Sequence, residues 1–208
     1  TGMFRPSEGE IRFEGKPLRD FGPHEAQEMG IAIVHQHPAV MPDLTVLENF
    51  QVALPRDAFP AGMRDRDYVQ TLLDTVKLDV QLNDRVETLS VASKHLLEIA
   101  KALALKPKVL VLDEPTAPLG QDSVDMLFGL IREAVATGTS VIYITHRLAE
   151  VREVATRVTV LRDGKLRQTS MVSAVSDKEL LSLIVGRELE STFPEKHSVP
   201  PGVEPNLV

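Results

Sequence analysis

Two short apolar runs constrain the fold more than any other feature of the chain. Val109-Leu110-Val111-Leu112 and Val141-Ile142-Tyr143-Ile144 carry no alternating polar residues. A strand with one wet face alternates apolar and polar side chains, so unbroken runs predict strands covered on both faces. Between the two runs, Val124, Leu127, Phe128, Ile131 and Val135 recur at helical spacing. Strands joined through a crossover helix are parallel, so the expected class is α/β with a mostly parallel sheet.

The other elements fit around that unit. Glu10 to Lys16 alternates and then turns at Gly15, predicting a half-exposed strand entering a hairpin, and Ile31-Ala32-Ile33-Val34-His35 predicts a second strand. Thr45 with Glu48 forms a capping box for a helix through Val46, Leu47, Asn49 and Phe50. Pro55, Pro60 and Gly62 mark a loop over 54–66, and Val69, Leu72, Leu73 and Val76 predict a helix over 67–78. A stronger helix carries Leu96, Ile99, Ala100 and Leu103 on one face, with Ser90 as its cap and Pro107 as its stop. Arg147 to Ala155 is a further short helix, and Val158 to Arg167 is a hairpin turning at Asp163-Gly164. Ser176 and Glu179 cap a last helix through Val185 and Gly186. From Glu190 the tail holds Pro194, Pro200, Pro201 and Pro205, as a linker does.

Composition narrows the function classes. An apolar fraction of 43% over 208 residues supports a sizeable core. Without Cys there is no disulfide, Cys-ligated zinc or thiol chemistry. The balance of 23 Lys and Arg against 30 Asp and Glu speaks against a general nucleic-acid coat, yet it leaves room for a local phosphate site. No apolar stretch approaches the ~18–20 residues that cross a bilayer.

The chemistry concentrates at strand ends. Asp113 and Glu114 follow the run 109–112, at the carboxyl end of a buried strand, where open α/β sheets place their ligands. One carboxylate there could hold a hydrated Mg²⁺ bridging phosphate oxygens, and its neighbour could polarise an attacking water. The alternative is a pair of acids capping the next helix. His146 ends the second run and could reach the same crevice, although a lone His is more often structural. Gln36, just beyond the strand 31–35, could ligate a metal or orient water.

These pieces, in this order, resemble the ATPase subunit of ABC transporters over nearly the whole chain. Val34-His35-Gln36 is similar to the glutamine loop, which implies Gln36 as a Mg²⁺ ligand and a reporter to the membrane subunit. Leu110 to Glu114 is similar to the Walker B strand, implying Asp113 for Mg²⁺ and Glu114 for the water. Ala117 to Asp122 occupies the D-loop, and His146 the switch histidine that contacts the γ-phosphate. Leu89-Ser90-Val91-Ala92-Ser93 stands at the family signature, implying that Ser90 and Ala92 face nucleotide held by the opposing ATPase half.

The implied architecture is a P-loop-NTPase-like (ABC ATPase) core with a mostly parallel sheet, an N-terminal antiparallel strand region and a helical subdomain. Its expected blocks are 1–44 and 106–189 for the core, 45–105 for the helical subdomain with the signature, and 190–208 for the linker. Finer features resemble the ribose and galactose importers with two ATPase halves in one polypeptide. They are Glu98 to Leu103, Val158 to Gly164, and Val185-Gly186-Arg187-Glu188-Leu189. The resemblance implies a first half that uses ATP and Mg²⁺ to power monosaccharide uptake from the cytoplasmic face of the inner membrane. Its implied partners are integral membrane permease subunits, a second ATPase half and, indirectly, a periplasmic or extracellular sugar-binding protein, with no nucleic acid.

Two other readings stay open at this stage. A soluble ABC-type ATPase acting on nucleic acid or ribosomes would need basic stripes; Lys94, Lys101, Lys106 and Lys108 cluster in sequence but at mixed helix phases. A non-catalytic interaction module would need only the helical block.

Two departures from the family pattern matter. The chain contains no G-x-x-x-x-G-K-[ST] phosphate loop; Gly15-Lys16 and Gly164-Lys165 lie in predicted hairpins. Because the chain opens at Thr1-Gly2-Met3-Phe4-Arg5-Pro6, where the family has just left that loop's helix, truncation is the expected explanation. In the signature, Ala92 and Ser93 replace the usual Gly and Gln. Ala narrows backbone approach to a phosphate, giving either a degenerate site or a tolerated variant in which Ser90, Ser93 and Lys94 supply donors.

Overall fold

A computed structural model describes residues 2–18 and 21–186, divided into two compact units that meet after Val154. In the first unit, strands β1 (Ile11–Phe13) and β2 (Lys16–Leu18) form the expected antiparallel hairpin. Helix α1 (Pro23–Glu28) leads into β3 (Ile31–Val34). The helical region follows as α2 (Val46–Ala53), α3 (Asp65–Thr75) and α4 (Val91–Ala104). The chain then returns to the sheet as β4 (Val109–Asp113), α5 (Gln121–Ala136), β5 (Ser140–Ile144) and α6 (Leu148–Val154).

The sheet is parallel, in the order β3-β4-β5. Its register aligns Val34 with Leu112 and Leu112 with Tyr143, so Ala32, Val34, Leu110, Leu112, Val141 and Tyr143 share one face. That face is the packed one, with Val34 and Leu112 fully buried and the Tyr143 ring meeting Phe128 of α5 edge-on, centroids 6.3 Å apart.

The opposite face departs from expectation. Unbroken apolar runs predict cover on both sides, yet Ile142 and Ile144 are 53% and 45% exposed. The buried stripe of α5 lies against the Tyr143 side. Among the described residues, the face carrying Ile142 and Ile144 is covered far less.

Local chemistry explains the helix ends. The Thr45 hydroxyl accepts from Glu48 N at 3.2 Å while Thr45 N donates to Glu48 Oε2 at 2.8 Å, the anticipated reciprocal cap. Helix α3 begins and ends earlier than the 67–78 expected. Asp65 and Asp67 favour its first turn electrostatically, and Lys77 at φ 49° turns the chain out after Val76. Val76 and Leu78 stay buried beyond the helix, which is why the apolar spacing overshoots its end.

Asn49 is buried among the apolar residues of α2. Its Oδ1 accepts from Met41 N at 2.8 Å, and its Nδ2 donates to Met41 O at 2.9 Å and Thr45 O at 3.0 Å. One amide therefore fixes the chain entering the helix.

The second unit contains β6 (Arg157–Arg162), β7 (Lys165–Met171) and α7 (Asp177–Val185). Asp163 and Gly164 both take positive φ at the hairpin tip, the geometry that favours Asp-Gly. Ser176 and Glu179 cap α7 reciprocally, and Gly186 ends it in the left-handed conformation. Arg187-Glu188-Leu189 and the Pro-bearing tail 190–208 lie outside the described residues.

Candidate functional site

Parallel strands deliver their carboxyl ends to one edge, and here each end is followed by a polar side chain. Beyond Val34 comes Gln36, beyond Asp113 comes Glu114, and beyond Ile144 comes His146. Glu114 leaves the strand at φ 47°, a left-handed conformation that costs a residue with a Cβ about 1–2 kcal/mol. Its backbone N donates to Ile144 O at 2.9 Å, which joins the ends of β4 and β5.

The side chains then converge. Glu114 Oε1 lies 3.1 Å from His146 Nδ1, and Glu114 Oε2 accepts from Gln36 Nε2 at 3.4 Å. An ionised carboxylate can only accept, so Nδ1 of His146 carries the proton in this contact. That leaves Nε2 of the exposed ring for another partner. In the same way, the Gln36 amide gives its nitrogen to Glu114 and keeps Oε1 as a free oxygen donor. Three of the residues singled out from sequence are brought together across 78 and 32 positions of chain.

Asp113 closes β4 on the sheet face that also carries Val109 and Val111. Its carboxylate, the Gln36 amide oxygen and Glu114 are all hard oxygen donors, the kind that suits Mg²⁺. Among the described residues no three His, Asp or Glu side chains gather into a protein-only metal cage. That is compatible with Mg²⁺, which takes one or two carboxylates and fills its octahedron with water and phosphate oxygens.

The loop bearing Gln36 is clamped by α4. Glu98 Oε1 accepts from His35 N at 3.2 Å, and Lys101 Nζ donates to Ala39 O at 2.9 Å. Burial pushes the Glu98 carboxyl above the usual range, against the opposing pull of the His35 and Ala39 backbone donors. In sequence Glu98 stands only as the first residue of a segment resembling the sugar importers, with nothing to mark the Gln36 loop as its partner.

Ser90 and Ala92 sit apart from this convergence at the start of α4. The Ser90 hydroxyl accepts from Ser93 N at 3.0 Å and pairs with Ser93 Oγ at 2.8 Å, while Lys94 Nζ donates to Glu87 O at 3.0 Å. The donors considered as substitutes for the missing signature residues are thus already engaged locally. Of the sequence-clustered lysines, Lys94 and Lys101 bind backbone oxygens and Lys108 pairs with Glu14 at 2.7 Å.

A further residue at this edge escaped the sequence reading. Glu150 of α6 is buried and accepts from Thr116, Tyr143 and Thr145. In sequence it is one acid in a short helix of mixed charge, and nothing in its spacing distinguishes it.

A parallel sheet with acid, amide and imidazole meeting at its carboxyl edge, beside a capped helical region, is the architecture of an ATP-binding cassette. Residues 1–117 match the ABC transporter family, and the chain belongs to that family. A ribose import ATP-binding protein of Rhizobium meliloti is 43% identical, covering 94% of this chain and 39% of the relative. A putative ribose/galactose/methyl galactoside import ATP-binding protein of Agrobacterium fabrum is 38% identical, covering 96% of this chain and 40% of the relative. The chain therefore spans about two fifths of the length of these relatives. Among solved structures, a dimeric ATP-binding cassette in a post-hydrolysis state bound to ADP and Pi matches with TM-score 0.70 and 25% identity. It covers 82% of this chain and 76% of that one. The fold is the P-loop-NTPase-like α/β fold expected from sequence.

Proposed function

We propose that the chain is part of the ATP-hydrolysing subunit of an importer that takes up a monosaccharide. The observation that carries this reading is Glu114 held between His146 and Gln36 at the carboxyl edge of the sheet. Sugar uptake rests on the likeness to the ribose and galactose import proteins.

In this reading Glu114 holds the attacking water and draws on its proton, while His146 keeps Glu114 in place through Nδ1 and offers Nε2 to the terminal phosphate. Asp113 and Gln36 Oε1 hold Mg²⁺, which when bound neutralises charge on the phosphate oxygens. Ser90, at the start of α4, meets nucleotide held by a facing ATPase half, with Ala92 beside it. The helical block 45–105 docks integral membrane permease subunits. A periplasmic or extracellular sugar-binding protein then acts only indirectly on this subunit.

No helix among the described residues is long and apolar enough to cross a membrane. We place the subunit at the cytoplasmic face of the inner membrane through its permease partners. The 208 residues hold no G-x-x-x-x-G-K-[ST] motif, so this chain contributes the magnesium and water side of the site rather than the phosphate cradle.

The test is Glu114→Gln in the full-length protein. The amide cannot take a proton from water, so an ATP-bound closed dimer accumulates and hydrolysis falls at least about a hundredfold. Turnover at the wild-type rate would remove Glu114 from the role assigned to it.

A further inference from the structure

The backbone beneath Glu114 and His146 is joined by the bond from Glu114 N to Ile144 O, but the loops beyond that bond need a further tie. The His146 side chain is largely exposed, and Glu114 stands on a left-handed backbone at the start of an irregular segment. An exposed imidazole and a half-buried carboxylate on separate loops lose considerable freedom in holding one geometry. Beyond that backbone bond, a second tie between the two loops would hold the pair in register.

Glu150 occupies the position to do so. It is only 6% exposed, and donors from both loops reach its two oxygens. Thr116 Oγ1 donates to Oε1 at 2.6 Å, from two residues beyond Glu114. Thr145 Oγ1, from the residue before His146, donates to Oε2 at 2.7 Å. Tyr143 OH donates to Oε2 at 3.0 Å, and the Arg147 guanidinium reaches Oε1 at 3.3 Å. Thr145 Oγ1 also accepts from Arg147 N at 3.0 Å, so the backbone on both sides of His146 is tied in.

We propose that Glu150 is the positioning residue that sets the Glu114–His146 geometry, by binding the loop after β4 and the loop after β5 to one buried carboxylate. The inference rests on the reading of Glu114 and His146 as the pair that handles water and terminal phosphate. Glu150 itself touches neither. A carboxylate is suited to the task because it accepts several hydrogen bonds at once, and charge-assisted bonds in a buried setting are short and stiff. Its charge is retained despite burial, because the hydroxyls of Thr116, Thr145 and Tyr143 together outweigh desolvation and hold its carboxyl below the usual range.

Glu150→Gln conserves volume but replaces one accepting oxygen with a donor, so at least one loop loses its anchor. In the full-length protein we expect kcat for ATP hydrolysis to fall about tenfold or more with KM for ATP within about twofold of wild type, as misplacement without lost binding does. Thr145→Val should reproduce that split, and Thr145→Ser, which restores the hydroxyl, should rescue it. Amide hydrogen exchange supplies a readout independent of turnover: the Glu114 and Arg147 amides should exchange faster in Glu150→Gln. A Glu150→Gln protein with unchanged kcat and unchanged exchange at these amides overturns the proposal, and so does a Thr145→Ser protein no better than Thr145→Val. If Glu114→Gln abolishes hydrolysis while Glu150→Gln does not affect it, the positioning role fails alone. If Glu114→Gln also turns over normally, the functional reading fails, and exchange still decides whether Glu150 holds the loops.

Discussion

At the scale of single residues, Glu114 combines backbone strain with a chemical task. It is one of five residues other than Gly with positive φ among the described residues, and the only one whose carboxylate bridges two strand-end side chains. Left-handed backbone at a site of chemistry is strain that the surrounding structure must hold. Glu114→Gly should therefore leave thermal stability unchanged or raise it by up to about 1 kcal/mol while abolishing hydrolysis in the full-length protein, read by melting and by phosphate release. A drop in stability would mean that the side-chain contacts outweigh the strain. Gln36, Glu114 and His146 were legible in sequence because each stands two residues beyond an apolar run, and parallel strands gather such ends. Glu150 and Glu98 were not. Both lie on helices where spacing says only that a charge is present, and their meaning comes from backbone and hydroxyl donors on distant segments.

At the scale of elements, polar side chains buried inside the helical region and the loops do much of the fixing. Asn49 makes three hydrogen bonds around the entry to α2, and Asn49→Ala would leave Met41 N and O without that partner. The expected loss is about 1–3 kcal/mol by denaturant unfolding, whereas a change within about 0.5 kcal/mol would show that water replaces the amide. Glu150 gives a pH dependence of defined sign. Its carboxyl sits below the ordinary value of 4.5, so its stabilisation is fully present above that value and drains away as pH falls through the lower folded one. Wild type should exceed Glu150→Gln in stability at pH 7, and the gap should close on acidification below about pH 4.5. A gap independent of pH would mean the carboxylate is not ionised in the fold. Element type was largely readable from periodicity and caps, as Thr45 and Ser176 illustrate. Coverage of the sheet was not, because an apolar run such as 141–144 states what a strand tolerates and not which neighbour lies on each face.

At the scale of the whole molecule, the described residues fall into two units, and the boundary after Val154 lies inside the block 106–189 that the sequence reading kept together. The strand ends supply oxygen donors and an imidazole, whereas the motif that cradles phosphates is not among these 208 residues. The isolated chain is therefore expected to release no phosphate from ATP above background, and measurable Mg²⁺-dependent turnover by it would contradict the division of labour argued above. The most direct measurement for the central claim is a structure of the full-length protein with Mg²⁺ and a non-hydrolysable ATP analogue. The account predicts the terminal phosphate at the carboxyl edge of β3, β4 and β5, with Asp113 and Gln36 facing the metal and Glu114 and His146 facing the phosphate. Nucleotide bound elsewhere, with Glu114, His146 and Gln36 turned away from it, would contradict it.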